Sequence, residues 1–190
     1  MKALILDGSR QGDSLTPVAV VGMASALAAR GVAVDLVLLR VRDIAPCAGC
    51  FGCWTRTPGE CVIDDAARDV LRSYVGADLV VYATAVTFGG YSSQLKKMLD
   101  RLIPALDPRF AVVGGEVHHR LRYRRYPKTI GLGTLPAPDP EAERMFARLV
   151  ARNSFDPRQA AEAAVMTGVM DPEAAWRLAD HLLDRAAVPP

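Results

Sequence analysis

Short apolar runs alternate with helix-patterned segments from the second residue onward, and no other feature constrains this chain as tightly. Lys2–Leu6 is an apolar run broken by Asp7-Gly8, the pattern of a parallel strand buried on both faces. Thr16–Arg30 is Ala-rich with few breakers, and Gly31 stands where a helix C-cap would. The same unit recurs. Ala33–Leu39 reads as a strand, and Asp64-Asp65 opens a helix over 66–75 whose acidic first turn suits its dipole. Leu79–Ala83 reads as the third strand, and Ser92 or Ser93 caps a helix running to about Ile103, with Pro104 near its end. Thr129–Leu132 is the fourth strand and Pro140–Arg152 a helix. The alanines of Ala161–Thr167 fit helix as well as strand, and the alternation makes it the fifth strand. Asp171-Pro172 opens the last helix as N-cap and first helical residue.

Strands alternating with helices imply an α/β three-layer sandwich, a five-stranded parallel sheet with helices on both faces and right-handed crossovers. Ligands of such sheets lie beyond the carboxyl ends of the strands, so the loops after strands one, three and four are where chemistry is expected. With 190 residues and no repeat or linker, the chain reads as one domain, 1–190, carrying a cysteine-rich insert at 47–61.

Hydrophobic residues at 51% and charged residues at 23% exclude a mainly disordered chain, and a net charge of +2 gives no argument for nucleic acid or membrane. No apolar stretch reaches the roughly 18 residues of a membrane span. Met1–Gly8 lacks the basic region, long apolar run and cleavage site of a signal peptide, so a cytoplasmic location is expected. Thiols stay reduced there, and clustered cysteines read as metal-binding or catalytic rather than as disulfides.

After the first strand comes Gly8-Ser9-Arg10-Gln11-Gly12-Asp13-Ser14-Leu15-Thr16. Small and hydroxyl residues admit backbone N–H groups to an anion, Ser9, Ser14 and Thr16 add hydroxyls, Arg10 adds charge, and the following helix adds its dipole. The glycine spacing is neither that of a dinucleotide fingerprint nor that of a P-loop, so a monophosphate ester fits better than a pyrophosphate or triphosphate. The alternative is a plain Gly/Ser turn with a helix cap. After the third strand, Thr84–Lys96 contains Gly89-Gly90, which lets the backbone pass close to a flat ligand, and Phe88 and Tyr91, which offer aromatic surface. Gly131-Leu132-Gly133-Thr134 reads as a third glycine-bearing loop at the same edge.

All four cysteines fall in one block, Cys47, Cys50, Cys53 and Cys61, with spacing C-x2-C-x2-C-x7-C. Three thiolates at such intervals can wrap one compact centre, and Pro58-Gly59 can bring Cys61 back as the fourth ligand. Zinc more often uses two knuckles set further apart, and metal-free thiols are the remaining alternative. The basic segment His118–Lys128 carries five arginine and lysine side chains among 120–125 and 128, and reads as a solvated or subunit-facing connector, or as a site for a phosphorylated nicotinamide cofactor, the flavin phosphate of a partner subunit, or nucleic acid.

Together these loops resemble the flavodoxin-like NAD(P)H-dependent FMN reductase superfamily, and within it most closely the iron–sulfur flavoproteins. The residues that carry the resemblance are Gly8-Ser9-Arg10 with Gly12, the four cysteines followed by Val62-Ile63-Asp64-Asp65, and Gly89 with Gln94-Leu95-Lys96 and Asp100-Arg101. The likeness covers residues 1 to about 104. It implies a flavodoxin-like sheet of order 2-1-3-4-5. It implies an FMN phosphate on Ser9, Arg10, Ser14, Leu15 and Thr16. The isoalloxazine would lie against Ala85, Val86, Thr87, Phe88 and Gly89, near Gly131, Gly133 and Thr134. Relatives often carry Pro-x-Tyr where this chain has Ala85-Val86-Thr87, which leaves an aromatic flavin contact to Phe88 or Tyr91. A homodimer or homotetramer is also implied.

The expected function is an FMN-dependent NAD(P)H oxidoreductase of flavin or quinone reductase type, with Cys47, Cys50, Cys53 and Cys61 as a redox or 4Fe-4S site. NAD(P)H would be the electron donor, and the acceptor a small molecule or a protein. The alternative is an iron–sulfur electron carrier without a dedicated substrate. A zinc or nucleic-acid module ranks last, because it leaves the strand-end loops unexplained.

Overall fold

The computed structural model describes residues 1–159, 161–169 and 171–189. The chain runs β1 (Lys2–Asp7), α1 (Leu15–Ala29), β2 (Ala33–Leu38), a short α2 (Gly52–Thr55), α3 (Ala67–Gly76), β3 (Leu79–Ala85), α4 (Ser93–Asp100), β4 (Leu106–Val113), β5 (Glu116–Leu121), β6 (Lys128–Leu135), α5 (Pro140–Arg152), β7 (Glu162–Thr167) and α6 (Pro172–Arg185). Single 3-10 turns sit at Leu39–Val41 and Ile103–Ala105.

Five strands form one parallel sheet in the order β2-β1-β3-β6-β7. This is the expected 2-1-3-4-5 arrangement, with β4 and β5 standing outside it. Within the expected segment Ala161–Thr167, Glu162–Thr167 is a strand, as the alternation requires, despite its alanines. Successive residues of the central strands feed two cores. Leu4, Leu6, Val80 and Tyr82 pack under α3, α4 and α5, against Leu71, Tyr74, Leu95, Met98, Phe146 and Val150. Ala3, Ile5, Leu79 and Val81 pack under α1 and α6, against Val20, Met23, Leu27, Ala179 and Leu183. Asp139 and Asp171 cap α5 and α6, accepting from the N–H of Ala142 at 3.0 Å and of Ala174 at 2.7 Å, and a proline follows each cap.

The basic segment His118–Lys128 differs from the sequence expectation of a connector: its first residues belong to an antiparallel hairpin, Leu106–Leu121, so His118 and His119 sit on β5. Gly114 and Gly115 form its turn with φ of +59° and +85°, the handedness that matches strand twist. Two strands alone are marginal in water, and this pair leans on the cysteine segment. Trp54 donates its indole N–H to the Leu106 carbonyl at 3.0 Å and packs on His119 with centroids 5.1 Å apart.

A buried ion pair fastens the cysteine segment to the body. Arg101, with a fully buried side chain, grips both oxygens of Asp65 at 2.8 and 2.9 Å and donates to the Ala45 carbonyl at 2.6 Å. Burial pushes the Asp65 carboxyl up, but Arg101 and the N–H groups of Ala45 and Ala67 outweigh it and hold the group below its ordinary range.

Candidate functional site

The carboxyl ends of β1, β3 and β6 lie side by side, because these strands are parallel neighbours with Asp7 beside Ala83 and Ala85 beside Thr134. The loops after β1 and β3 therefore share one sheet edge with the end of β6. They are tied together. Gly8 N–H donates to the Ala83 carbonyl at 2.8 Å, Ser92 Oγ donates to the Gly8 carbonyl at 2.6 Å, and Thr84 Oγ1 accepts from Ser92 N–H at 2.8 Å. Val86 N–H donates to the Thr134 carbonyl at 2.9 Å, which fixes the β3 loop over β6.

Between the loops opens a cleft of about 490 Å³ lined by Arg10–Leu15, Ala85–Thr87, Thr134 and Pro136. Of the sequence-derived candidates it gathers Arg10, Ser14, Leu15, Ala85, Val86, Thr87 and Thr134. Arg10 is exposed, and among the described residues it has no ion-pair partner. The donor set suits a phosphate ester at one end and a flat ring against the Ala85–Thr87 backbone at the other, so the residues present fit FMN.

The remaining candidates stand elsewhere. Ser9 and Thr16 are fully buried behind the cleft wall. Ser9 N–H donates to Asp7 Oδ1 at 2.7 Å and its hydroxyl accepts from Arg40 at 2.9 Å, while Thr16 Oγ1 lies 2.9 Å from Thr134 Oγ1. Both brace the loop from beneath. Gly131 and Gly133 do not form a loop, because β6 runs through them to Leu135. They are bare so that α5 and the neighbouring strands can close in: a Cβ on Gly131 would sit 2.4 Å from Val150 Cγ2, and one on Gly133 2.7 Å from Val86 Cγ2. Phe88 and Gly89 form a two-residue turn closed by Thr87 and Gly90, with φ of +50° and +72°, and Phe88 is 99% exposed at its tip. A side chain held at positive φ and left bare to solvent is costly without a contact partner. Tyr91 is a core residue, edge-on to Tyr82 and Phe146, so it offers no stacking surface.

Two residues of the site escaped the sequence reading. Arg40, just beyond β2, reaches Ser9 and stands 3.6 Å from the buried carboxylate of Asp7. Asp13 accepts from the N–H groups of Leu15 at 3.1 Å and Thr16 at 3.0 Å, so a carboxylate rather than Ser14 caps α1. An Asx residue two and three positions ahead of free helix amides was the signal for Asp13. Nothing in the spacing marks Arg40.

A second cleft of about 490 Å³ opens between α4, the end of α5 and the hairpin, lined by Leu99, Phe110, His119, Arg152 and Phe155 among others. It shares no residue with the first and lies away from the loops after β1 and β3.

The four cysteines are free thiols. Cys47 and Cys50 are exposed, Cys53 is buried and Cys61 half-buried. The Gly52 N–H, opposed by desolvation and helped by Arg56, lowers the Cys50 thiol, while burial and the neighbouring thiols raise Cys53. Among the described residues no group of three or more His, Cys, Asp or Glu side chains is placed to hold a metal ion. The donor chemistry suits a cluster, but the side chains as folded do not gather into the expected metal centre. No described helix is long and apolar enough to cross a membrane.

A parallel sheet of order 2-1-3-4-5 with helices on both faces and a cleft at the carboxyl ends of its central strands defines a flavodoxin-like α/β protein. The chain belongs to the NADPH-dependent FMN reductase family, whose model matches residues 1–130. An iron–sulfur flavoprotein of Methanocaldococcus jannaschii is 32% identical over 104 residues, covering 55% of this chain and 53% of that protein. The match thus spans about half the length of this curated relative. An FMN-dependent NADH-azoreductase from Bacillus anthracis, solved with FMN, shares the fold with a TM-score of 0.66 at 15% identity over 98% of this chain and 97% of its own. An NAD(P)H:quinone oxidoreductase from Methanothermobacter marburgensis does so with a TM-score of 0.63 at 12% identity, over 100% and 96%.

Proposed function

We propose that this chain is an FMN-dependent NAD(P)H oxidoreductase of flavin or quinone reductase type. The cleft between the β1 and β3 loops is the observation that carries this reading. Arg10 and the amides of the Arg10–Ser14 loop hold the phosphate, and the Ala85–Thr87 backbone, fixed by the Val86–Thr134 hydrogen bond, supports one face of the ring. Thr134, Leu15 and Pro136 close the far wall. FMN held there would supply the redox chemistry, hydride acceptance from a nicotinamide and electron transfer to an acceptor. The protein's work is to bind, orient and exclude water, so no side chain serves as nucleophile. The acceptor is a small molecule or a protein, and the working unit is a homodimer or homotetramer. Family membership and the FMN-bound azoreductase with the same fold support this reading. Purified protein should show the visible flavin spectrum or take it up with added FMN, and should then oxidise NAD(P)H. Protein that neither carries nor binds FMN overturns the proposal.

A second reading is favoured by one observation, the 32% identity to an iron–sulfur flavoprotein. In it, Cys47, Cys50, Cys53 and Cys61 rearrange to hold a 4Fe-4S cluster and the chain relays electrons. Iron and acid-labile sulfide assay on anaerobically purified protein tests it: four of each per chain support it, and their absence leaves the cysteines as redox thiols.

A further inference from the structure

The hairpin carries an apolar face that the rest of the described chain leaves bare. Val112 lies opposite Val117 across the β4–β5 ladder, and Phe110 lies opposite His119 at the next pair on the same side. Strand alternation puts these four side chains on one face of the ribbon. Phe110, Val112 and Val117 are 62, 72 and 69% exposed, whereas Ala111, Val113 and His118 on the other face are half-buried. The apolar trio thus occupies the more exposed side, and a contiguous bare patch of this kind marks an interaction surface. Its base is held in place, because the His119 ring packs between Phe110 and Trp54 with centroids 4.6 and 5.1 Å apart. The face runs on into the second cleft, where Phe110 and Val117 stand across from Leu99 and Phe155. Two exposed ion pairs edge it: Lys96–Asp100 on α4, and Arg152–Glu116 between the end of α5 and the hairpin tip.

We infer that this face is where a second copy of the chain docks, hairpin against hairpin, about a two-fold axis close to the Val112–Val117 pair. The inference names the contact surface of the homo-oligomer in the reading above and rests on that reading. Charge selects a second copy first. The rim holds two cations and two anions around an apolar centre, the anatomy of a specific protein interface, and a two-fold image of the same face can set cation against anion. A polyanion or an anionic membrane would call for a rim of one sign. Size agrees: the eight residues of β4 span about 26 Å, and a standard interface of about 800 Å² per partner is roughly 28 Å across. Stability agrees as well, because a two-stranded ribbon is marginal alone and a second copy covers its bare side.

Charge at position 117 tests this. Val117 belongs to neither core, so Val117→Lys and Val117→Glu leave the body of the protein intact. Light scattering on size-fractionated apo protein, over a dilution series, gives the mass in solution. The wild type should run as a dimer or a multiple of it. Each variant alone should fall to half the wild-type mass, with association weakened at least about a hundredfold, because a two-fold interface holds the substituted residue twice and brings like charges together. An equal mixture of the two variants should regain the wild-type mass, since opposite charges then meet across the axis, and a misfolded hairpin would not be rescued in this way. A monomeric wild type overturns the inference whether or not FMN binds. So do variants that keep the wild-type mass, or a mixture that stays at the lower one. FMN titration of the wild type is read separately: an associating protein whose variants fall apart and recover on mixing supports the inference even without FMN uptake, a result that would sink the flavin reading alone.

Discussion

Gly131→Ala separates packing from ligand contact at the end of the sheet. Residue 131 lies in the middle of β6 under α5, where an added Cβ would meet Val150 Cγ2 at 2.4 Å, Val150 Cγ1 at 3.1 Å and Phe146 Cε1 at 3.2 Å. Carbon atoms prefer roughly 3.5–4 Å, so α5 must retreat by about an ångström or Val150 must leave its rotamer. Val150 and Phe146 are both fully buried, so neither has room to turn away. Overpacking of this kind costs about 1–3 kcal/mol. For a domain of this size that lowers Tm by roughly 3 to 10 °C. Denaturant unfolding of the apo protein measures it. FMN affinity should change little, because residue 131 does not line the cleft. Adding Val150→Ala should restore part of the loss, so that the double variant is less destabilised than the sum of the singles. Gly133→Ala differs in kind, because its Cβ presses on Val86, which does line the cleft, and should weaken FMN binding as well as stability. Unchanged apo stability in Gly131→Ala together with impaired FMN binding would refute the packing argument and return Gly131 to the ligand.

Three further outcomes follow from the contacts. Arg40→Ala removes the donor to Ser9 Oγ and the cation beside buried Asp7, and should cost about 1 kcal/mol of stability and loosen FMN; unaltered FMN affinity would show that Arg40 does not brace the loop. Arg101→Met leaves the Asp65 carboxylate buried without its partner and should cost about 3–5 kcal/mol in denaturant unfolding, against less than about 1 if the pair were only decorative. Asp156 is held at about 2 from an ordinary 3.8, chiefly by the Arg158 guanidinium. A depressed carboxylate stabilises the fold above its unfolded pKa, and that contribution is lost as pH falls through the folded value, so stability should decline between about pH 4 and 2 and the decline should flatten in Asp156→Asn.

The sheet was legible because buried parallel strands leave uninterrupted apolar runs, and even Ala161–Thr167 could be placed once the alternation was recognised. The anion-site reading of the β1 loop also rests on a local signal, small residues between a strand and a helix. The loop's inner wiring was not legible. Ser9 and Thr16 looked like free hydroxyls, but Arg40 and Thr134, far away in sequence, turn them into braces, and a one-dimensional reading has no access to such pairs. Gly131 and Gly133 looked like turn residues because glycine marks both turns and close packing, and only α5 lying on β6 decides between them. The hairpin at Leu106–Leu121 was readable and missed: Gly114-Gly115 between Val112-Val113 and Val117 is a two-residue turn signal, obscured by Pro108 and by the basic run that follows.

Titration of apo protein with FMN, in the wild type and in Thr87→Trp, tests the central claim most directly. A tryptophan at 87 fills the cleft from its rim without touching either core, so the fold should persist by circular dichroism. The account predicts one FMN per wild-type chain with quenched flavin fluorescence, and at least about a tenfold loss of affinity in the variant. FMN bound equally well by both proteins would place the flavin somewhere other than the junction of the β1 and β3 loops.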